Sequence, residues 1–291
     1  MPTRRRPERP ARRARGPTRP APRLDPQLLY TPAVQHVEHD LVLLEGVYRR
    51  LRGRAPQRLR EDFCGTAALA CAWAARGPRR RACGVDVHQA TLAWARRRRL
   101  AHLGAAAGRV ALLHADARRV TSPPVDVVAA LNYSYWVFRR RAELRDYFRS
   151  ARRSLRSGGL LFLDAFGGTE TMQALVEARR VTASRGPGGE RVPPFRYIWE
   201  QADFNPVEHR LRCHIHLQLD DGREMRRAFS YDWRMWTLPE IRELLAEAGF
   251  RDSRIYLQDW DDETHQPLAT YSPRRRFENQ LSWLAYVVGL A

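Results

Sequence analysis

The feature that most constrains this chain is a regular alternation, over residues 57–164, of short apolar runs with stretches of helical periodicity. The spacing predicts strands at 57–63, 81–86, 110–114, 125–131 and 160–164, with helices at 66–75, 88–102 and 139–155. Strands that alternate with helices pair in parallel, because each connection must cross the sheet, and such crossovers are right-handed. Residues 125–131 are apolar almost throughout, which suits a central strand covered on both faces. The expected class is α/β, a doubly wound, mostly parallel sheet with helices on both faces.

The flanks read differently. Thr31 and Pro32 read as an N-cap and first-turn pair, after which Val34, Val37, Leu41, Leu44, Tyr48 and Leu51 recur every three or four residues until Gly53. One helix laid on the core is expected there. Residues 167–236 form an insertion after strand five, with strands at 195–204, 210–219 and 224–233 in an antiparallel β meander. Within it, Leu211, Cys213, Ile215, Leu217 and Leu219 share one strand face, and Arg210, Arg212, His214, His216 and Gln218 share the other. Thr237 then caps a helix through Ile241, Leu244, Leu245 and Ala248 to Gly249, and strands at 254–260 and 282–290 bring the main sheet to seven.

The formal charge of +19 invites a nucleic-acid partner. Yet all 51 basic residues are arginine and none is lysine, the imprint of a GC-rich genome rather than of phosphate binding. Residues 1–24 carry nine arginines, one glutamate and few large apolar side chains, so they are read as a disordered leader ahead of a domain spanning 25–291. No apolar run approaches the roughly 20 residues that cross a bilayer, and no secretory signal is evident. Cys64, Cys71, Cys83 and Cys213 lack paired metal-ligand spacing, which fits a reducing cytoplasm. His214 and His216 share a strand face with His209 nearby, but no second ligand pair supports a metal, and none is expected.

The chemistry concentrates at strand ends. Residues 59–67, Leu-Arg-Glu-Asp-Phe-Cys-Gly-Thr-Ala, place an acid at a strand end and then a small-residue loop entering a helix, where backbone N–H groups and the helix terminus face a ligand. Asp86, followed by Val87, ends strand two, where a carboxylate can accept both hydroxyl hydrogens of a ribose. Asp116, beside the Ala117 N–H, follows strand three and can meet an adenine amino group. These groups converge on a nucleoside.

Here the chain resembles the class I, Rossmann-like methyltransferases, over residues 58–164 and the closing strand pair. The family's acidic-x-Gly-x-Gly-x-Gly motif is matched at Glu61 and Gly65, while Phe63 and Ala67 replace the outer glycines. The resemblance implies S-adenosyl-L-methionine as cofactor, bound by Glu61, Cys64, Gly65, Thr66, Asp86, Val87, Asp116, Ala117 and Asn132; for Glu61 a structural contact orienting the loop is an equal alternative. It implies direct in-line methyl transfer to an N or O nucleophile.

Strand-end placement nominates Asn132, Tyr133 and Asp164 as catalytic, with Tyr133, Tyr135 and Trp136 as an aromatic wall beside the sulfonium. The run Asn132-Tyr133-Ser134-Tyr135 lacks the Pro-Pro-aromatic clamp of many nucleic-acid amino methylases, which favours a small-molecule acceptor over nucleic acid. The insertion is expected to act as a lid whose removal spares the cofactor, offering Arg196, Trp199, Tyr231, Trp233, Arg234 and Trp236 to a carboxylate-bearing or aromatic acceptor. A monomer or homodimer without membrane contact is expected. Two rivals stay open: an NAD(P)-dependent oxidoreductase, which also binds a ribose after strand two, and an Arg-rich RNA-binding protein without catalysis.

Overall fold

A computed structural model of the chain describes residues 25–120, 123–261, 263–264 and 267–291. The leader at 1–24, and with it the expectation of disorder, lies outside the described residues. The chain runs α1 (Pro26–Val34), α2 (Val37–Arg52), β1 (Arg58–Asp62), α3 (Ala68–Ala75), β2 (Arg81–Asp86), α4 (Gln89–Arg98), β3 (Val110–His114), β4 (Val125–Ala130), α5 (Arg141–Ser154) and β5 (Leu155–Gly167). Next come β6 (Leu175–Val181), the short pair β7 (Ser184–Arg185) and β8 (Arg191–Val192), β9 (Phe195–Asn205), β10 (Arg210–Leu219) and β11 (Glu224–Arg234). The chain closes with α6 (Leu238–Glu247), β12 (Asp252–Trp260), β13 (Pro267–Arg274) and β14 (Trp283–Leu290).

The main sheet has the order β13-β12-β14-β5-β4-β1-β2-β3. Strands β1 to β5 pair in parallel, whereas β14 runs antiparallel to both β5 and β12. The order reverses between β1 and β4, the switch point at whose carboxyl end an open α/β sheet leaves a crevice. Alternation along β5 sends Leu160 and Phe162 into the cluster under α2 and α3, and Leu161, Leu163 and Ala165 into the cluster under α5 and α6. That is why residues 127–131 and 160–163 read as unbroken apolar runs.

Three elements depart from expectation. The main sheet has eight strands rather than seven, because β13 joins the edge beside β12. An edge strand tolerates Pro267 and Pro273, residues that argue against a strand when the sequence is read alone. The first helix is two: Asp25 caps α1 through Gln27 N at 3.0 Å, Pro32 lies inside it, and the chain turns extended at Gln35 before α2 begins. Thr31 is therefore a helical residue, not a cap. The inserted sheet has four strands, ordered β11-β10-β9-β6, and the extra β6 carries Glu177, Arg179 and Arg180 on an exposed edge. In β10 the alternation holds, with Leu211, Cys213, Ile215, Leu217 and Leu219 buried. α1 packs Leu29 and Ala33 into this second sheet's core. Among the described residues no helix is long and apolar enough to cross a membrane.

Candidate active site

The loop leaving β1 adopts left-handed backbone at Phe63, Gly65 and Ala67, with φ of 55°, 51° and 56°. These are the three positions at which the resembled motif carries glycine. Phe63 and Ala67 hold that conformation at a steric cost of about 1–2 kcal/mol each, which the surrounding packing must offset. The Phe63 ring packs edge-on against Phe138 and Tyr147, with centroids at 5.7 and 5.5 Å. At Gly65 an added Cβ would meet no atom within 4 Å, so the backbone lies open to whatever fills the crevice. At Gly84 a Cβ would come within 2.9 Å of Cys64 Sγ, so this glycine lets the thiol sink beneath the loop. Cys64 is buried and its thiol is pushed up by desolvation, which makes it a packing group beneath the loop.

Asp86 ties two loops together. Its Oδ2 accepts from Gly65 N at 2.8 Å and its Oδ1 from His88 N at 2.7 Å, leaving further lone pairs toward the crevice. Glu61 faces away from it. Its Oε2 accepts from Ala70 N at 2.8 Å in the first turn of α3, and burial pushes the carboxyl up to about 8. The structural alternative for Glu61 is thus the geometry seen. Asp116 grips Arg118, whose Nη2 lies 2.6 Å from Oδ2, and these hydrogen bonds hold the carboxyl below its usual range. Arg60 and Asp62, side by side on one face of β1, form a fully buried bidentate pair at 2.6 and 3.0 Å. Arg60 also donates to Ala117 O at 2.9 Å and Ser154 Oγ at 2.6 Å, fixing the loop that carries Asp116. Thr66 receives Arg99 on its carbonyl and hydroxyl.

At the tip of β4, Asn132 and Tyr133 are both left-handed, each with φ of 56°. Their N–H groups donate to the two oxygens of Asp164, at 2.7 and 2.8 Å. Asp164 is buried, its carboxyl is pushed up to about 7 by desolvation, and it borders neither cavity described below. It anchors the loop, which corrects its expected place at the reacting atoms. Tyr135 and Trp136 are also withdrawn: both are fully buried, with the Tyr135 hydroxyl on Asp164 O at 2.8 Å and Trp136 stacked on Phe166 at 4.9 Å. Of the expected aromatic wall, Tyr133 alone faces the crevice.

Two cavities result. One of 530 Å³ spans the tips of β1, β2 and β3 and is lined by Cys64, Gly65, Thr66, Asp86, Val87, Asp116, Ala117 and Asn132 among others. The second, of 330 Å³, lies under the antiparallel sheet. Tyr30, Asn132, Tyr231 and Trp233 line both, so the two meet there. From the insertion, Trp199, Tyr231 and Trp233 reach this space, whereas Arg196 does not line it, Arg234 stacks on Trp236 at 3.8 Å, and Trp236 is buried. The expected cationic contacts to an acceptor are therefore absent from both cavities at those positions. His214 and His216 engage Ser230 Oγ at 2.8 Å and Glu200 Oε2 at 2.7 Å, and His209 packs on Phe204. Sequence reasoning missed Tyr30, Glu170, Tyr197 and Trp283. For Tyr30 a signal existed, since Asp25-Pro26 is a better helix start than Thr31-Pro32 and would have put Tyr30 inside α1.

A family profile described as a methyltransferase domain matches residues 63–159. No curated protein matches the sequence at a significant level. Among solved structures the chain is similar to CalS10, an amino pentose methyltransferase from Micromonospora echinaspora, with a TM-score of 0.61, 20% identity, and coverage of 91% of this chain and 95% of that one. It is likewise similar to the CcbJ methyltransferase from Streptomyces caelestis, with a TM-score of 0.60, 17% identity, and coverage of 89% and 98%. The sugar N-methyltransferase KedS8 from Streptoalloteichus superposes with a TM-score of 0.57 at 19% identity, covering 97% of this chain and 99% of that one. These likenesses show a shared fold with S-adenosylmethionine-dependent methyltransferases, and the profile marks residues 63–159 as a methyltransferase domain.

Proposed function

We propose that residues 25–291 form one catalytic domain that passes the methyl group of S-adenosylmethionine to a nitrogen or oxygen of a small molecule, with residues 167–236 as its lid. The observation that carries this reading is the meeting of the two cavities at Asn132, Tyr231 and Trp233. The cofactor supplies an activated methyl on a sulfonium. The rest is placement in a dry site, which is most of what an in-line displacement asks of a protein.

The residues present fit such a ligand. The open face of Gly65 leaves room for the methionine end, and Asp86 keeps acceptor capacity for two ribose hydroxyls after binding its own loops. Asp116 and the Ala117 N–H flank the outer end, where an adenine amino group would share the carboxylate with Arg118. Asn132 stands where cofactor and acceptor meet, and Tyr133 floors the acceptor side. A cavity of 330 Å³ suits a small molecule better than a nucleic-acid strand. Four free cysteines, three of them buried, support a cytoplasmic setting, and a monomer or homodimer remains our reading of assembly.

Calorimetry with S-adenosylmethionine, its demethylated product and NAD tests this directly. The first two should bind the wild type and lose affinity in Asp86→Asn, with NAD inert; the reverse preference would return the oxidoreductase reading.

A further inference from the structure

The smaller cavity is an aromatic box with a negative rim. Of the eighteen residues lining it, eight are aromatic, two are glutamate and none is arginine. This holds in a chain with 51 arginines among 291 residues, where a lining without one is itself informative. Trp199, Tyr231 and Trp233 form one wall, with Tyr231 stacked on Trp233 at 4.4 Å and Trp199 set 6.3 Å from Trp233. Tyr133 faces them from the floor, edge-on to Phe166 at 4.6 Å. Glu170 is half-buried and Glu177 exposed, and neither carboxylate has a hydrogen-bond or ion-pair partner among the described residues. Arg179, on β6 close by, is engaged elsewhere: it donates to Ala33 O and stacks on Tyr197 at 4.9 Å.

The other polar groups point the same way. Gln201 spends its amide nitrogen on Glu170 O and Gln173 O, at 3.3 and 3.0 Å, and Thr171 spends its hydroxyl on Gly168 O at 2.8 Å. No cationic side chain lines the space for a ligand, whereas the Glu170 and Glu177 carboxylates keep their acceptors. A carboxylate there would face two like charges with no cation to balance them. An ammonium would find ring faces, whose quadrupoles attract cations, and carboxylates at the rim.

We propose that this compartment selects an organic amine, held as its ammonium between Trp199, Tyr231 and Trp233 with Glu170 and Glu177 at the rim, its apolar body against Leu175 and Ile215. The inference rests on the methyltransferase reading and names the acceptor class for it. Transfer would then turn an ammonium and a sulfonium into a methylated ammonium and a neutral thioether, with one proton released to water.

The test uses the full-length protein saturated with S-adenosylhomocysteine, titrated with benzyltrimethylammonium or phenylacetate and read by tryptophan fluorescence and calorimetry. Benzyltrimethylammonium should bind, and phenylacetate should bind at least about tenfold more weakly. Glu170→Gln combined with Glu177→Gln should weaken the cation about tenfold, with melting temperature and S-adenosylhomocysteine affinity unchanged. Trp199→Leu should weaken it too, by removing a ring face. Equal binding of the two probes, or cation affinity untouched in both variants while S-adenosylhomocysteine still binds, overturns the amine assignment alone. Failure of the wild type to bind S-adenosylhomocysteine overturns the methyltransferase reading and this inference together.

Discussion

The peptide N–H of Tyr133 donates to Asp164 Oδ1 at 2.8 Å, and that one carboxylate also takes the N–H of Asn132 on its other oxygen. Two successive left-handed residues are costly for anything but glycine, and here they are held by a buried acceptor with two lone-pair faces. Asp164→Asn keeps the shape but turns an N–H₂ toward one of the two donors. It should lower stability by about 1–3 kcal/mol, the usual cost of a buried group left unpaired. Urea denaturation checks this, and an Asn variant as stable as wild type would remove the anchor role.

Asp86 is asked to do two things at once: hold Gly65 and His88 in place, and receive a ribose. Asp86→Asn should therefore raise the dissociation constant of S-adenosylhomocysteine by about 10- to 100-fold, from the loss of charged hydrogen bonds worth roughly 1.5–3 kcal/mol. Titration calorimetry reads this, with a melting curve beside it to separate ligand loss from loop loss. Unchanged affinity in a folded variant would mean that the nucleoside lies elsewhere.

Glu61 gives a pH dependence with a definite sign. Its carboxyl is raised from 4.5 to about 8, chiefly by burial, so between those values the folded state holds a proton that the unfolded chain has released. Stability from this group is complete below pH 4.5 and is lost as pH rises toward 8. Glu61→Gln still offers Ala70 N an acceptor but cannot ionise. It should flatten the decline by up to about 1.4 kcal/mol per pH unit, which denaturation midpoints measured across that range would show.

How much of this was legible in the sequence depends on whether an element is read by its own periodicity or by its neighbours. Strands β4 and β5 declare themselves by apolar runs and β10 by one-faced alternation, whereas β1, Arg-Leu-Arg-Glu-Asp, is marked by the small-residue loop that follows it. β6 and β13 do not, because an edge strand has little side-chain burial to record; their charges and prolines look like loop. The gap at Gln35 and His36 was hidden because Val34 and Val37 happen to continue one helical register across it. At the site, Asp86 follows from being the last residue of its strand. A run such as Tyr133-Ser134-Tyr135-Trp136 has no such rule, and which ring faces the crevice is decided by the turn that Asp164 holds, far off in sequence. Phe63 and Ala67 mislead in the opposite sense: they look like a broken motif, yet they hold the left-handed backbone that glycine adopts without steric cost.

The lid is less separable from the cofactor than its place in the sequence suggested. Residues Phe229 to Trp233 of β11 border the larger cavity as well as carrying the wall of the smaller one, so excising the insertion should cost cofactor affinity too. Point variants divide the two roles. Trp233→Ala should weaken both S-adenosylhomocysteine and benzyltrimethylammonium, and Trp199→Ala, which borders only the smaller cavity, should weaken the amine alone. Parallel losses in Trp199→Ala would show one undivided chamber.

Arg60 and Asp62 sit at the centre of the sheet with no exposed surface, joined to each other, to Ser154, to Ala117 O and, through the Asp62 carboxylate, to the Tyr147 hydroxyl at 3.0 Å. Removing either charge strands the other in the interior, which costs about 3–5 kcal/mol where such pairs have been broken. Arg60→Met should therefore unfold the chain in far less urea, and Asp62→Leu likewise. The double variant removes both charges and fills the space with apolar atoms, so it should recover much of the loss. Yet Arg60 also tethers Ala117, and with it the loop presenting Asp116 to the larger cavity. The double variant should thus regain stability without regaining affinity for S-adenosylhomocysteine, a split that denaturation and calorimetry on the same sample can read. If affinity returned along with stability, the buried pair would be a matter of folding alone, and the Asp116 loop would owe its position to α5 and β4 instead.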